Sequence, residues 1–196
     1  MELMTTSIPD LKLTHDLYER AADGVRIHLP SLPALTREGF ADLSSWACIP
    51  DDQGLLSKAE KILVRTPTLT AKINIWFRAD LRGGNKPLPH NHPWTRFTGY
   101  LLGAGYDEDR YEVEGQDVTA TLGLRHVSPA ANTLDHATYH EVSAVHEPGK
   151  TLSLMVCSAW RRGDWGHLDV DTGRHIPLEA DPDFDAKFAA LNRHRG

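Results

Sequence analysis

The sequence predicts an all-β sandwich or barrel of the jelly-roll kind. From residue 61 onward, short runs rich in β-branched and aromatic residues are separated by Gly- and Pro-containing turns at roughly ten-residue intervals. No strand–helix–strand alternation is visible, which argues against a parallel sheet. Glycines recur inside the strand-like run Phe97 to Gly103, as expected where a sheet bends tightly.

Residues 1–60 read as a helical and irregular N-terminal extension packed on the barrel. In TREGFADLSSWACI, Phe40, Leu43, Trp46 and Ala47 fall at helical spacing behind Thr36, a good N-cap residue. Pro50 to Gly54 breaks that segment, and LLSKAEKIL reads as a further short helical piece. LVRTPTLTAKINIWFRADL alternates as strands do, and Leu81 to Asn85 is a turn. Tyr106 to Val113 and DVTATLGLRHV form a hairpin closed by Glu114-Gly115-Gln116-Asp117, and its acidic residues, Asp107, Glu108 and Asp109 with Glu112 and Glu114, read as a solvated face. Pro129 to Asn132 reads as a turn. Tyr139 to Val145, Thr151 to Ser158 and Asp164 to Val170 are further strands, and the arginines of Arg161-Arg162-Gly163-Asp164 read as capping the barrel between Trp160 and Trp165. The barrel so drawn covers residues 61–180. Residues 181–196 form a short C-terminal helix with an apolar stripe of Phe184, Phe188 and Leu191.

The 196 residues suit a single domain with a substantial core. A net charge of −6 gives no electrostatic case for a nucleic-acid or anionic-membrane partner. No apolar run approaches the ~20 residues of a spanning helix. The N-terminus lacks a basic segment followed by an apolar one, so no signal peptide is expected. The two cysteines, Cys48 and Cys157, form no CxxC and suit buried thiols in a reducing cytoplasm, the expected location.

The chemistry concentrates in KPLPHNHPWTRFTGY, residues 86–100. Side chains two apart on a strand share a face, with Cα atoms roughly 6.5–7 Å apart. His90 and His92 can therefore converge on one ion while Asn91 points away. Pro87, Pro89 and Pro93 remove three backbone donors, which suits an edge or a barrel rim. His140, in a later strand, is the third candidate ligand. His136 shares its parity and reads as a rim residue, His146 as a turn residue, and Tyr139 as packing on the opposite face.

With a His-Xaa-His strand, glycine-rich turns and a returning histidine, residues 60–170 resemble the cupins, the double-stranded β-helix or jelly-roll family. Cupins usually carry a glutamate three or four residues past the second histidine; Thr95 and Arg96 stand there. The pattern is similar to that of cysteine dioxygenase, a cupin with three histidine ligands and no carboxylate, and HEVSAVHEPGKTLSLMV is similar to that family's segment after its third histidine. Arg65 falls where that family keeps an arginine for its substrate's carboxylate. Two family features are missing: Phe97 stands in place of the crosslinked cysteine, and Thr151, Ser153 and Met155 replace a Ser-His-Tyr set. The HNHPW and RRGDWGH stretches also resemble bacterial cupin-like proteins of little assigned function.

The resemblance implies a mononuclear non-haem iron(II) oxygenase or dioxygenase acting with O₂ on a small anionic, amino-acid-like substrate, and by analogy a homodimer. Zinc, nickel and copper also suit imidazole, so a cupin isomerase or hydrolase is an alternative, as is a non-catalytic small-ligand or metal-binding barrel. Arg65, Arg78 and Arg96 are the cationic candidates for the substrate, Arg96 by sharing the face of His92 if the strand stays regular. Trp76, Trp94, Phe97 and Met155 are candidate pocket wall. No catalytic acid or base is identifiable.

Overall fold

The computed structural model describes residues 2–6, 8–84, 86–161 and 165–195. The chain opens with an antiparallel pair, β1 (Glu2–Thr5) and β2 (Lys12–Thr14), followed by helix α1 (His15–His28). Thr14 caps α1 by accepting a hydrogen bond from the Leu17 amide at 3.3 Å. Leu17, Ala21, Gly24 and Val25 form the buried stripe of α1. A Cβ on Gly24 would lie 2.5 Å from the Leu102 side chain, so glycine lets the helix seat closely on the sheet.

Helix α2 (Arg37–Ala41) is short and is followed by a 3₁₀ turn at Leu43–Ser45. Then come β3 (Trp46–Pro50), β4 (Leu56–Arg65) and β5 (Thr70–Trp76). Two helical expectations are corrected here. Trp46 and Ala47 belong to a strand, and LLSKAEKIL is the start of β4. Its Leu, Lys, Ala and Glu favour helix in isolation, but β4 pairs with β3 on one side and β5 on the other. Ladder hydrogen bonds and burial on both faces outweigh propensities of a few tenths of a kcal/mol. Barrel strands thus begin ahead of residue 61.

The remaining strands are β6 (Arg96–Gly103), β7 (Gly105–Glu114), β8 (Asp117–Val127), β9 (Ala130–Asp135), β10 (Tyr139–Val145), β11 (Thr151–Cys157), β12 (Gly166–Asp169) and β13 (Arg174–Pro177). The segment expected as a turn from Pro129 to Asn132 is mostly strand, because Ala130 to Asn132 pair with Leu101 to Gly99. The expected barrel cap at residues 161–164 falls largely on Arg162–Asp164, which lie outside the described residues, as does Asn85 of the expected 81–85 turn.

One sheet has the order β3-β4-β5-β11-β6-β9, antiparallel throughout. The other is β10-β7-β8, continued past β10 by backbone bridges from His90 to both His140 and His167, which bring in β12 and β13. The sheets face each other: Trp76 of β5 packs on Tyr106 of β7, and Asn132 of β9 bonds Glu108 of β7. This is an all-β barrel of two facing antiparallel sheets, of the jelly-roll kind expected from the sequence. The outer face of the large sheet buries Ala71, Ile73, Ile75, Leu152 and Leu154 in one core with α1. The alternate residues, Lys72, Asn74, Trp76, Ser153 and Met155, line the barrel.

Helix α3 (Pro182–Leu191) follows, with Asp181 capping its first turn, and a 3₁₀ turn at Arg193–Arg195 comes after it. Phe184, Phe188 and Leu191 are only half-buried. The firmer attachment is Asn192, whose amide accepts from the Cys48 N–H at 2.8 Å and donates to the Cys48 carbonyl at 2.7 Å. No helix among the described residues is long and apolar enough to cross a membrane.

Candidate metal centre

His90 and His140 are brought together by backbone pairing. The His90 amide donates to the His140 carbonyl at 3.0 Å, and the His140 amide donates back at 2.9 Å. Residues paired this way across an antiparallel ladder project their side chains to the same face. His92, two residues on, joins them: each pair of the three rings has centroids 4.9–5.0 Å apart. One ligand nitrogen from each lies within 4.8 Å of the others.

The ring nitrogens are set for a cation. His140 Nδ1 lies 2.6 Å from Oε1 of Glu108. A carboxylate acceptor there fixes the proton on Nδ1 and turns the Nε2 lone pair inward. That Nε2 sits 2.8 Å from Nε2 of His92. Nδ1 of His90 is buried with no hydrogen-bond partner. Burial holds His90 and His92 well below the usual imidazole range, against the pull of Asp80 at His90 and with the neighbouring histidines and lysines at His92, so both rings are neutral. Neutral imidazoles with inward lone pairs fit a divalent transition metal.

Glu108 is fully buried. It is bonded by His126 at 3.0 Å, Arg110 at 2.8 Å and Asn132 at 3.0 Å as well as by His140. Burial alone would raise its carboxyl; the hydrogen bonds to His126 and His140 and the Arg110 charge overcome this and hold it well below the carboxylate range. The reading of Glu108 as part of a solvated face is therefore corrected. Its signal was parity: Tyr106, Glu108 and Arg110 alternate with Asp107 and Asp109, and Tyr106 marks the buried face.

Trp94 stacks on His92 with centroids 5.5 Å apart, and Phe97 meets the same ring edge-on at 4.5 Å. Met155 and Cys157 join Trp94 and Phe97 in one buried cluster. Trp76 donates to Ser153 Oγ at 3.1 Å. All four residues read as pocket wall thus face the barrel interior. His167, not singled out in the sequence, lies beside His90 at 6.4 Å between centroids.

The arginines are placed elsewhere. Arg78 is engaged with Asp10 at 3.3 Å, Asp51 at 3.7 Å and the Leu56 carbonyl. Arg65 is exposed at the end of β4. Arg96 is exposed too, and its neighbour Phe97 is the one that faces His92. Residues 91–95 are not a regular strand, so the parity that put Arg96 on the His92 face is lost. His136 bonds Arg161 at 2.9 Å, His146 bonds Asp107 at 2.8 Å, and the Tyr139 hydroxyl bonds His175 at 2.8 Å, each apart from the three histidines.

No protein-family model matches the chain, and no curated protein does. Among solved structures it is similar to KdgF from a Halomonas species, with 23% identity over 54% of this chain and 82% of that one, at a TM-score of 0.40. It is similar to the nucleoside dehydratase Pac13 of Streptomyces, with 12% identity over 68% of this chain and 89% of that one, at 0.43. It is also similar to oxalate decarboxylase of Bacillus subtilis, with 9% identity over 68% of this chain and 29% of that one, at 0.41. These are distant likenesses and carry nothing about what this chain binds.

Proposed function

We propose that the chain is a metal-dependent enzyme of the cupin kind, with His90, His92 and His140 as ligands, and that it is an iron(II) oxygenase acting on a small anionic substrate. The observation that carries this reading is the ligand set itself: three imidazoles converge, and the carboxylate bonded to the cluster, Glu108, is turned to His140 Nδ1 rather than inward. Such a set leaves the full charge of a divalent ion uncompensated and favours an anionic ligand beside it. Iron(II) held there would supply the reactivity toward O₂ that side chains lack.

The protein's own part is positioning and exclusion of water. Glu108 keeps His140 in one tautomer, and Asn132 and Arg110 keep Glu108 in place. Trp94, Phe97 and Met155 form an apolar wall against the histidines, which strengthens electrostatic contacts within it. A second reading, hydrolysis or isomerisation on zinc or nickel, is favoured by one observation: Lys58 and Lys72 place ammonium groups, which can donate a proton, on the same inner face.

The test is elemental mass spectrometry of untagged protein beside His90→Ala and His140→Ala. About one iron per chain, lost in both variants and accompanied by substrate-dependent O₂ uptake, is the expected result. Zinc or nickel lost in the same way moves the function to the second reading. Failure to take up any metal after anaerobic loading overturns both.

A further inference from the structure

Three charged residues and one amide on the inner face of β4 and β5 take no part in holding a metal. Lys58, Glu60, Lys72 and Asn74 point into the barrel beside Trp76 and Met155, as the strand register requires. Their charged side chains are 12–17% exposed. A barrel held together only for stability would be better served here by apolar residues, since taking charges out of water is costly even when they pair.

Both lysines contact the same oxygen of Glu60, Lys72 at 2.8 Å and Lys58 at 3.2 Å. Burial would raise the Glu60 carboxyl, but the two ammonium groups hold it down at about 2, so it is ionised. Asp80, 3.8 Å from Lys58, is matched by Arg82 at 2.8 Å. Two ammonium groups against one carboxylate leave one positive charge on this face. It lies next to the histidines: Lys72 Nζ is 5.5 Å from the Trp94 ring centroid, and Trp94 in turn stacks on His92. Lys58 covers Trp76 in the same way at 4.6 Å.

Two hydrogen-bonding atoms are left over, one on this face and one on the neighbouring Trp94. The Asn74 carbonyl oxygen and the Trp94 indole N–H are buried without hydrogen-bond partners, in residues 1% and 8% exposed. Unsatisfied buried polar atoms cost about 1–3 kcal/mol each and persist where something else meets them. An acceptor for the indole N–H and a donor for the amide oxygen would satisfy both.

We propose that Lys72 and Lys58, with Trp94 and Asn74, form the substrate-recognition face, and that it takes a short carboxylic acid bearing a hydroxyl or amino group. The carboxylate meets the surplus ammonium charge and the Trp94 N–H. The hydroxyl or amino group donates to Asn74. This rests on the metal-dependent reading above, in that the bound acid lies between these residues and the histidines. It also replaces the three arginines as the source of anion recognition.

The experiment titrates the full-length, metal-loaded protein with lactate, alanine, propionate and methyl lactate, following tryptophan fluorescence, which Trp94 and Trp76 report. Lactate or alanine is expected to bind, methyl lactate about tenfold or more weakly, and propionate more weakly than lactate. Lys72→Met should weaken lactate binding about tenfold or more, and Lys72→Arg should keep it within a few-fold. Asn74→Leu should abolish the preference for lactate over propionate. Equal binding of acid and ester, an unchanged affinity in Lys72→Met, or no binding by any of the acids overturns the proposal. Should Lys72→Met not fold, the acid–ester comparison on the wild type together with Lys72→Arg decides. Metal content measured on the same samples separates the two readings: a full metal complement with indifference to Lys72 sinks this inference alone, and Lys72-dependent lactate binding without any metal uptake sinks the metal reading alone.

Discussion

Glu108 Oε1 and His140 Nδ1 lie 2.6 Å apart, with the carboxylate wholly buried. The glutamate acts at one remove from the histidine cluster, on the far side of an imidazole ring.

Glu108→Gln removes the charge and keeps the shape. His140 Nδ1 then loses its anionic acceptor, and the ring is no longer held in one tautomer. Metal affinity should fall by about 10–100-fold, read by competition with a chelator of known affinity. An unchanged affinity would show that Glu108 does not hold the ligand.

Glu60 should make stability depend on pH. Its carboxyl is lowered from 4.5 to about 2. A carboxyl with a depressed folded value stabilises fully above its unfolded value, and that contribution is lost as pH falls through the folded value. Chemical denaturation should therefore show stability declining from about pH 4.5 toward pH 2, by at most roughly 3 kcal/mol from this group. In Lys72→Met the decline should begin at higher pH, because one of the two ammonium groups is gone.

The two thiols should be inert in the folded protein. Burial pushes Cys157 up to about 12 and Cys48 up to about 11, and both are fully buried. The reactive thiolate is then scarce near neutral pH. Alkylation by iodoacetamide at pH 8, followed by mass spectrometry, should label neither until denaturant is added. Rapid labelling of native Cys157 would contradict this.

Gly105 should resist substitution. A Cβ there would lie 2.1 Å from the His126 carbonyl oxygen and 2.8 Å from the His146 ring. Backbone cannot give way as a side chain can, so Gly105→Ala should cost about 1–3 kcal/mol, as overpacking does. Thermal unfolding of the variant measures it. Gly115→Ala offers a contrast: nothing lies within 4 Å of its Cβ, but its φ of 66° makes the cost one of backbone strain.

Much of this architecture was legible in the sequence, for physical reasons that differ from residue to residue. His90 and His92 stood out because a two-residue spacing on a strand fixes a shared face regardless of what surrounds it. The barrel stood out because turns recur along the chain. The meeting of His140 with His90 depends on which strands pair, and no local pattern encodes a ladder between residues so far apart. Glu108 was masked by the acidic residues around it, which made the whole hairpin look solvated. Lys58, Glu60 and Lys72 were passed over for a related reason: charged residues are almost never buried unless paired, and the pairing is a property of adjacent strands. The error over Arg96 was one of parity alone, since the irregular backbone at 91–95 turned Phe97 inward in its place.

The Asn192 amide occupies both main-chain groups of Cys48, on the outermost strand of the large sheet. At that point the chain's own tail does what an additional strand would do. Unpaired edge groups invite other chains to add on. A molecule clipped before Asn192 would keep its histidines and its barrel, yet offer a vacant border to other chains.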